Sequence, residues 1–465
     1  MALKQFTIDF VNIGLQDGLR LDFGYRYFFD YKKGKVFPSD QLISLREILT
    51  PLNSPKVKKG LLDNEEILLD IGNVERRFNN LINYEVVEEV GSDKVVIEKG
   101  DLVIPKLQPQ MGNIFLNPKH KRFLGSTEFV EYKINSSYNP LFLYYLITSK
   151  QFLTDLARLE SGKTHRRVNS RDFLKIKIPL IPKSQQDTIV AQIEPIEKEI
   201  KHLKSQLKDP QEIINKVFAR EFGFDLEKFE ELKKIKNYYL DLFALGNNRD
   251  LRQSVKFHRE AGIFVIQQLK KITSKKIKDF ISEPIVLGKG VSPKDYDENG
   301  DYFYISMANI KNWQFESEDS KLVSKEYSDQ NKNKTVSRND ILIARSGEGT
   351  IGKVALIDDE DLQGIFADFT MRIRLQNYNP LFAYYYFRTE YFQYLIEVNK
   401  KGLGNNTNIF PSQIQEFPMI DISLKDQQKI VDKIKAELDK QEQIKKQIEQ
   451  ERNKIDEIIE KAIQN

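Results

Sequence analysis

The stretch ARSGEGTIGKVALI (344–357) carries Gly347, four further residues, then Gly352 and Lys353. That is the spacing of a loop that cradles nucleotide phosphates with backbone N–H groups and a lysine. Such a loop also needs Ser or Thr after the lysine to reach Mg²⁺, and a helix to follow. Here Val354 follows, and KVALID reads as a strand, so nucleotide chemistry is not expected of it. A glycine-bearing turn between strands lets the backbone approach a different polyanion. Arg345, Ser346, Thr350 and Lys353 are donors suited to phosphates and to base edges. A second kind of stretch offers similar chemistry. SGKTHRRVNS (161–170) places Lys163, His165, Arg166, Arg167 and Asn169 together, and NKKGLGNNTN (399–408) places Lys400, Lys401, Asn405, Asn406 and Thr407 together. Arginine matches guanine O6/N7 and asparagine matches adenine N6/N7 by bidentate geometry.

Other chemistries have little to work with. The chain has no Cys and only four His, at 120, 165, 202 and 258, none close to another in sequence, so no metal centre is expected. No Ser/His/Asp spacing suggests a hydrolase. No Gly-rich fingerprint after a strand suggests a dinucleotide or S-adenosylmethionine pocket, so no cofactor is expected. Asn-Pro-Leu-Phe at 139–142 and 379–382 lacks the second proline of the adenine methyltransferase motif Asn-Pro-Pro-Tyr/Phe, and reads better as the start of a buried helix. Lys and Arg number 72 against 68 Asp and Glu, a net charge of +4, so local clusters rather than the global balance must identify a polyanionic partner. No apolar run approaches the ~20 residues of a membrane span, and MALKQFTIDF has no signal pattern. The expected location is cytoplasmic, with no membrane partner.

The elements that position these loops come in two copies. Tyr138-Asn139-Pro140-Leu141-Phe142 recurs 240 positions on (138 to 378) as Tyr378-Asn379-Pro380-Leu381-Phe382. Val168, Phe173, Ile176, Ile178, Gln186, Ile189 and Ile193 meet Ile409, Ile414, Phe417, Met419, Gln427, Ile430 and Ile434 241 positions on (168 to 409). GDLVIPKLQPQMGNIFLN (100–117) lies over NDILIARSGEGTIGKVAL (339–356), which makes Lys106, Gln108, Gln110 and Asn113 the first copy's counterparts of the glycine turn. A period this long is no solenoid, so each copy is expected to fold as its own module.

Within each copy, short β-rich runs such as KVVIEKGDLVIP and DILIARS precede a helical part. After Pro182, residues Ile189, Ile193, Ile196, Ile200, Leu203 and Leu207 step by 4, 3, 4, 3 and 4, a heptad stripe in which Pro195 and Pro210 predict a kink or a restart. The second helix is predicted to start after an N-cap at Ser423 and to run without Pro or Gly to the chain end. The expected fold is α+β: two tandem α/β recognition domains separated by two long helices packed as an antiparallel coiled-coil pair with pseudo-two-fold symmetry. The segments are drawn as 1–180, 181–248, 249–422 and 423–465.

KIKIPLIPKSQQDTIVAQIE (175–194) and its second copy QEFPMIDISLKDQQKIVDKI (415–434) resemble the segment that leads from a target-recognition domain into a long conserved helix in DNA-specificity (S) subunits of type I restriction-modification systems. Ile178, Pro179, Leu180, Pro182, Gln186 and Ile189 carry the match, with Ile181 where a second proline is usual. RLDFGYRYF (20–28) is similar to the R-L-D-x-x-Y opening of such domains, through Arg20, Leu21, Asp22 and Tyr25, and LRQSVKFH (251–258) is a weaker version of it. The resemblance implies a non-catalytic chain whose two domains each read one half of a split target in double-stranded DNA. It implies docking of two methyltransferase (modification) subunits, leaves room for restriction subunits, and makes helix length the ruler for half-site spacing. The other reading is a coiled-coil scaffold whose duplicated domains bind proteins rather than DNA.

Overall fold

A computed structural model describes residues 20, 22–240, 243, 252, 254–318, 320–347, 349–402 and 407–464. By contact the chain forms two compact units. The first comprises the described residues up to Gln206 and those from Ile444 on, and the second comprises Leu207–Gln443. The sequence segments are bounded at 180, 248 and 422; the compact units instead divide the chain within its two helical regions.

Each unit pairs a four-stranded sheet with a second sheet. In the first unit the four-stranded sheet runs Leu49–Pro51, Phe129–Ile134, Leu102–Pro105, Phe115–Leu116; in the second it runs Val286–Leu287, Thr370–Ile373, Ile341–Ala344, Val354–Leu356. Every pairing in these two sheets is antiparallel. One inner strand of each, LVIP and ILIA, is buried at all four positions, which is why it reads as an unbroken apolar run rather than an alternating one. The second sheet has five strands in the first unit and three in the second, and each contains one parallel pair: Leu68–Leu69 with Leu124–Gly125, and Phe303–Ile305 with Gly364–Phe366.

The repeated Tyr-Asn-Pro has a structural task. Asn139 accepts from the backbone N–H groups of Leu141 and Phe142 and so caps the helix Pro140–Ile147, while Asn379 does the same for Pro380–Arg388. The backbone N–H of Asn139 donates to Gln186 Oε1 (2.7 Å), and Gln186 Nε2 donates to Ile181 O (2.7 Å). The second unit repeats this lock with Asn379 N to Gln427 Oε1 (2.8 Å) and Gln427 Nε2 to Ile422 O (2.9 Å). Tyr138 and Tyr378 close it by donating to Pro179 O and Ile420 O. Gln186 is fully buried and Gln427 nearly so. Gln427→Leu should therefore lower stability by about 1–3 kcal/mol for each buried group left unpaired, read as a lower urea midpoint at unchanged slope. A change within about 0.5 kcal/mol, ordinary for surface substitutions, would contradict this assignment.

Of the two prolines in the helical part, only Pro210 brings a restart. The helix Lys183–Ser205 runs through Pro195 without ending, because Ala191, whose carbonyl loses its i+4 donor there, faces solvent. At Pro210 a new helix does start, Pro210–Phe222, capped by Asp209. The last helix spans Leu424–Gln464, and Ser423 Oγ accepts from Asp426 N at its start.

The helical tails pack on the sheet-bearing parts by equivalent joints. In the second unit Gln211 donates to Arg388 O, and Asn215 Oδ1 accepts from Glu390 N (2.9 Å). In the first unit the residues 241 positions on, Arg452 and Asp456, do this work. Arg452 donates to Thr148 O (3.3 Å), Thr148 Oγ1 (3.0 Å), Arg77 O (3.0 Å) and Asp456 (3.2 Å).

Candidate functional site

Each unit brings its two candidate loops side by side. In the first unit the strand Leu102–Pro105 leads into a turn in which Gln108 is left-handed (φ 45°) and Pro109–Met111 form one 3₁₀ turn ended by Gly112 at φ 79°. A side chain at Gly112 would collide with Arg77, whose Cγ lies 2.7 Å from the Cβ position. The turn is bonded to the cationic loop by Val168 N to Lys106 O (3.0 Å) and Gln108 N to Arg166 O (3.0 Å), and the cationic loop closes on itself through Ser161 and Arg167. In the second unit Ile409 N donates to Arg345 O (2.9 Å), Ser346 bridges Asn408, and Lys401 and Asn408 exchange two bonds of 2.7 Å. Lys106 N to Glu128 O (2.8 Å) and Arg345 N to Phe369 O (3.0 Å) tie both pairs to the neighbouring strand turn.

The glycine turn of the second unit is a closed turn between strands. Thr350 Oγ1 donates to Ser346 O (2.8 Å), Gly352 N donates to Ala344 O (2.8 Å), and Val354–Leu356 continues as a strand paired with Ile341–Ala344. No helix follows, so the geometry of a nucleotide-phosphate loop is not formed.

An arginine holds the start of each cationic loop. Arg20 donates to Leu159 O (3.0 Å) and Glu160 O (3.1 Å), lies 4.5 Å from the Tyr25 ring centroid and pairs with Asp22, which caps the short helix Phe23–Arg26. Arg252 donates to Asn399 O (2.8 Å) and Lys400 O (2.9 Å), and lies 4.6 Å from the Phe257 ring. These are the R-L-D-x-x-Y residues and their weaker copy. Leu21 lies outside the described residues.

Of the residues singled out in sequence, Gln108, Lys163, His165, Arg166, Arg167, Asn169 and Lys401 are exposed. Lys106, Gln110, Arg345, Thr350, Lys353 and Lys400 are half-buried. Three are buried: Asn113, Ser346 and Thr407. Asn113 donates to Val74 O (2.6 Å), Ser346 donates to Thr407 O (3.1 Å), and Thr407 is 5% exposed. The Asn169 side chain caps the helix Ser170–Leu174 through Arg171 N. Asn405 and Asn406 lie outside the described residues.

Two carboxylates missed in sequence shape the first loop. Glu128 receives Arg167 through Nε (3.0 Å) and NH2 (2.9 Å), and those bonds hold its carboxyl below the usual range. Burial raises the carboxyl of Glu160, which lies 4.0 Å from Arg166. No periodicity pointed to either, because both lie outside the cationic runs. Beside the turn, an open groove of about 560 Å³ is lined by Ile71, Val74, Arg76, Phe78, Gln108 and Met111 among others. Among the described residues no group of three or more His, Asp and Glu could hold a metal ion, and no helix is long and apolar enough to cross a membrane.

The family model described as the type I restriction modification DNA specificity domain matches twice, over residues 28–209 and 261–452. No curated protein matches the chain in sequence. Among solved structures, it is similar to a chain from a study titled as the structural basis of complex assembly and conformational transition of the type I R-M system (16% identity, 92% of this chain and 98% of that one, TM-score 0.44). It is also similar to the HsdS subunit from Thermoanaerobacter tengcongensis (15%, 91% and 96%, TM-score 0.35) and to a type I restriction-modification S subunit from M. genitalium (12%, 91% and 95%, TM-score 0.37).

Proposed function

This chain belongs to the type I restriction modification DNA specificity family, and we propose that each of its two units reads one half of a split DNA target through its paired loops. It is a non-catalytic subunit that recognises DNA for a restriction-modification complex. Two methyltransferase subunits, and restriction subunits with them, dock on its helical parts, and the complex works in the cytoplasm. The segments 1–180 and 249–422 are the readers, and 181–248 and 423–465 are the docking parts whose length sets the half-site spacing. One observation carries the reading: the same loop-on-loop lattice recurs in both units with different side chains, as two readers of different half-sites require. In the first unit Lys106, Gln108, Lys163, His165, Arg166 and Arg167 are the contact residues, with Gln110 and Asn169 at the margin. In the second they are Arg345, Thr350, Lys353, Lys400, Lys401, Asn405 and Asn406.

The test is the salt dependence of duplex binding by the chain assembled with modification subunits. Phosphate contacts release counterions, so six to ten of them should cost roughly 10³- to 10⁵-fold in affinity between about 50 and 200 mM salt, with a residual sequence preference. Assemblies that bind no duplex, or bind all duplexes alike and independently of salt, would favour the protein-scaffold reading.

A further inference from the structure

Four positions of the two lattices correspond through backbone geometry. The bonds Lys106 N to Glu128 O and Arg345 N to Phe369 O match, as do Val168 N to Lys106 O and Ile409 N to Arg345 O. Arg167 and Asn408 each sit in the bridge that joins the two loops. The correspondence pairs Lys106 with Arg345, Glu128 with Phe369, Arg167 with Asn408 and Asn169 with Phe410. The backbone frame is shared, and all four side chains differ.

The first set is polar throughout. A carboxylate among Lys106, Arg166 and Arg167 would repel phosphate, so Glu128 is poorly placed for simple backbone binding. It does fix a direction: by engaging Nε and NH2 of Arg167 it leaves the outer NH1–NH2 edge of the guanidinium as the presented one. Arg167 also donates from NH1 to His165 O (3.3 Å), and its side chain remains 47% exposed. An arginine bidentate to guanine O6 and N7 must present such an edge, and the neighbouring carboxylate disfavours a phosphate there.

The second set is half aromatic. Arg345 NH2 donates to Asn408 Oδ1 (3.2 Å), and its guanidinium carbon lies 5.8 Å from the Phe369 ring and 5.6 Å from the Phe410 ring. Both rings are large apolar surfaces left in the open, at 45% and 37% exposure. The buried Arg345 Nε has no hydrogen-bond partner among the described residues. A guanidinium held between two exposed rings matches a guanine beside a thymine, whose 5-methyl group takes apolar contacts in the major groove.

Resting on the DNA-reading function above, we propose that these positions frame the base-reading head of each unit, with Asn169 at its margin. Glu128 is a positioning residue that aims Arg167 at a guanine in the first half-site. Phe369 and Phe410 read a thymine methyl beside the guanine taken by Arg345 in the second.

The experiment uses the full chain assembled with modification subunits and duplex probes changed one atom group at a time. With the native chain, 7-deazaguanine, which loses N7 but keeps O6, at one position of the first half-site and uracil for thymine at one position of the second should each weaken binding, by less than the roughly 5- to 150-fold of a complete bidentate contact. Glu128→Ala should abolish the 7-deazaguanine effect and leave the uracil effect intact. Phe369→Ala with Phe410→Ala should do the reverse, and Glu128→Gln, which keeps one hydrogen bond, should fall between. If Glu128→Ala weakens all sequences equally, or if either variant keeps the native base profile, the proposal is overturned while DNA reading itself stands. A native assembly with no sequence preference overturns both.

Discussion

Arg452→Ala is expected to destabilise the first unit by about 3–5 kcal/mol, the cost of removing one partner from a buried charge pair. Arg452 is fully buried and Asp456 is 4% exposed. The guanidinium binds Asp456, two atoms of Thr148 and the Arg77 carbonyl, and burial lowers its pKa from the usual arginine value. Truncation strands the Arg77 carbonyl and the buried Thr148 hydroxyl, leaves the Thr148 carbonyl with Arg77 Nε (3.1 Å), and leaves Asp456 with Arg77 as its cation. The second unit makes the same joint without charge, through Gln211 and Asn215. Arg452→Gln with Asp456→Asn should therefore recover most of the loss, because a neutral hydrogen-bonded pair avoids the desolvation of two ions. Hydrogen exchange should place the weakening of Arg452→Ala in residues 1–206 and 444–465. Unchanged stability, or a double variant as damaged as the alanine one, would refute this account of the joint. Arg77 also ties the joint to the reading turn, since its backbone N–H donates to Gly112 O (2.8 Å). The alanine variant should accordingly lose first-half discrimination before second-half discrimination.

Exchanging residues 250–415 for the corresponding span of a homologue of different specificity should replace one half of the recognised sequence and leave the other untouched. The span carries the second unit's turn, cationic loop and Arg252, together with most of its core. Specific sites are typically ~10³- to 10⁷-fold tighter than non-specific DNA, so the switch should be close to complete in a competition between duplexes. The exchanged span must still meet Gln211, Asn215 and Gln427, which contact Arg388, Glu390 and Asn379. Donors that keep the Asn-Pro start of that helix are therefore the ones to use. A change in both halves, or in neither, would contradict independent reading.

The duplication was legible because it rests on residues whose role is local and repeated. Asn139 and Asn379 cap helices, and Gln186 and Gln427 lock them to the following segment, so the same letters recur 240 or 241 positions apart. The C-terminal helix was equally plain, since nothing in 424–464 breaks it. The packing of the helical tails was not legible, because heptad spacing gives the buried face and not the surface it meets. The contact at Arg452 joins residues about 300 apart in sequence. Whether Pro195 would end the helix was not legible, because a proline on a solvent-facing turn can be carried within a helix.

Of the site, the two loops of each unit were visible in their glycines and cations, but their joining was not. It depends on single backbone bonds such as Val168 N to Lys106 O, which carry no side-chain signal. Asn113, Ser346 and Thr407 are polar residues of polar loops, and their burial carries no signal in the sequence. Glu128, Phe369 and Phe410 escaped notice because a carboxylate and two phenylalanines do not look like DNA-binding residues until the cation each one faces is known.

The most direct measurement is the pattern of modified bases in the genome of a host expressing the native chain with its modification subunits, read by methylome sequencing. Two reading heads on one chain predict a single motif made of two defined half-sites separated by a fixed number of unspecified base pairs, with modification dependent on both halves. A continuous, uninterrupted motif, or modification that persists when either half is altered, would contradict the account.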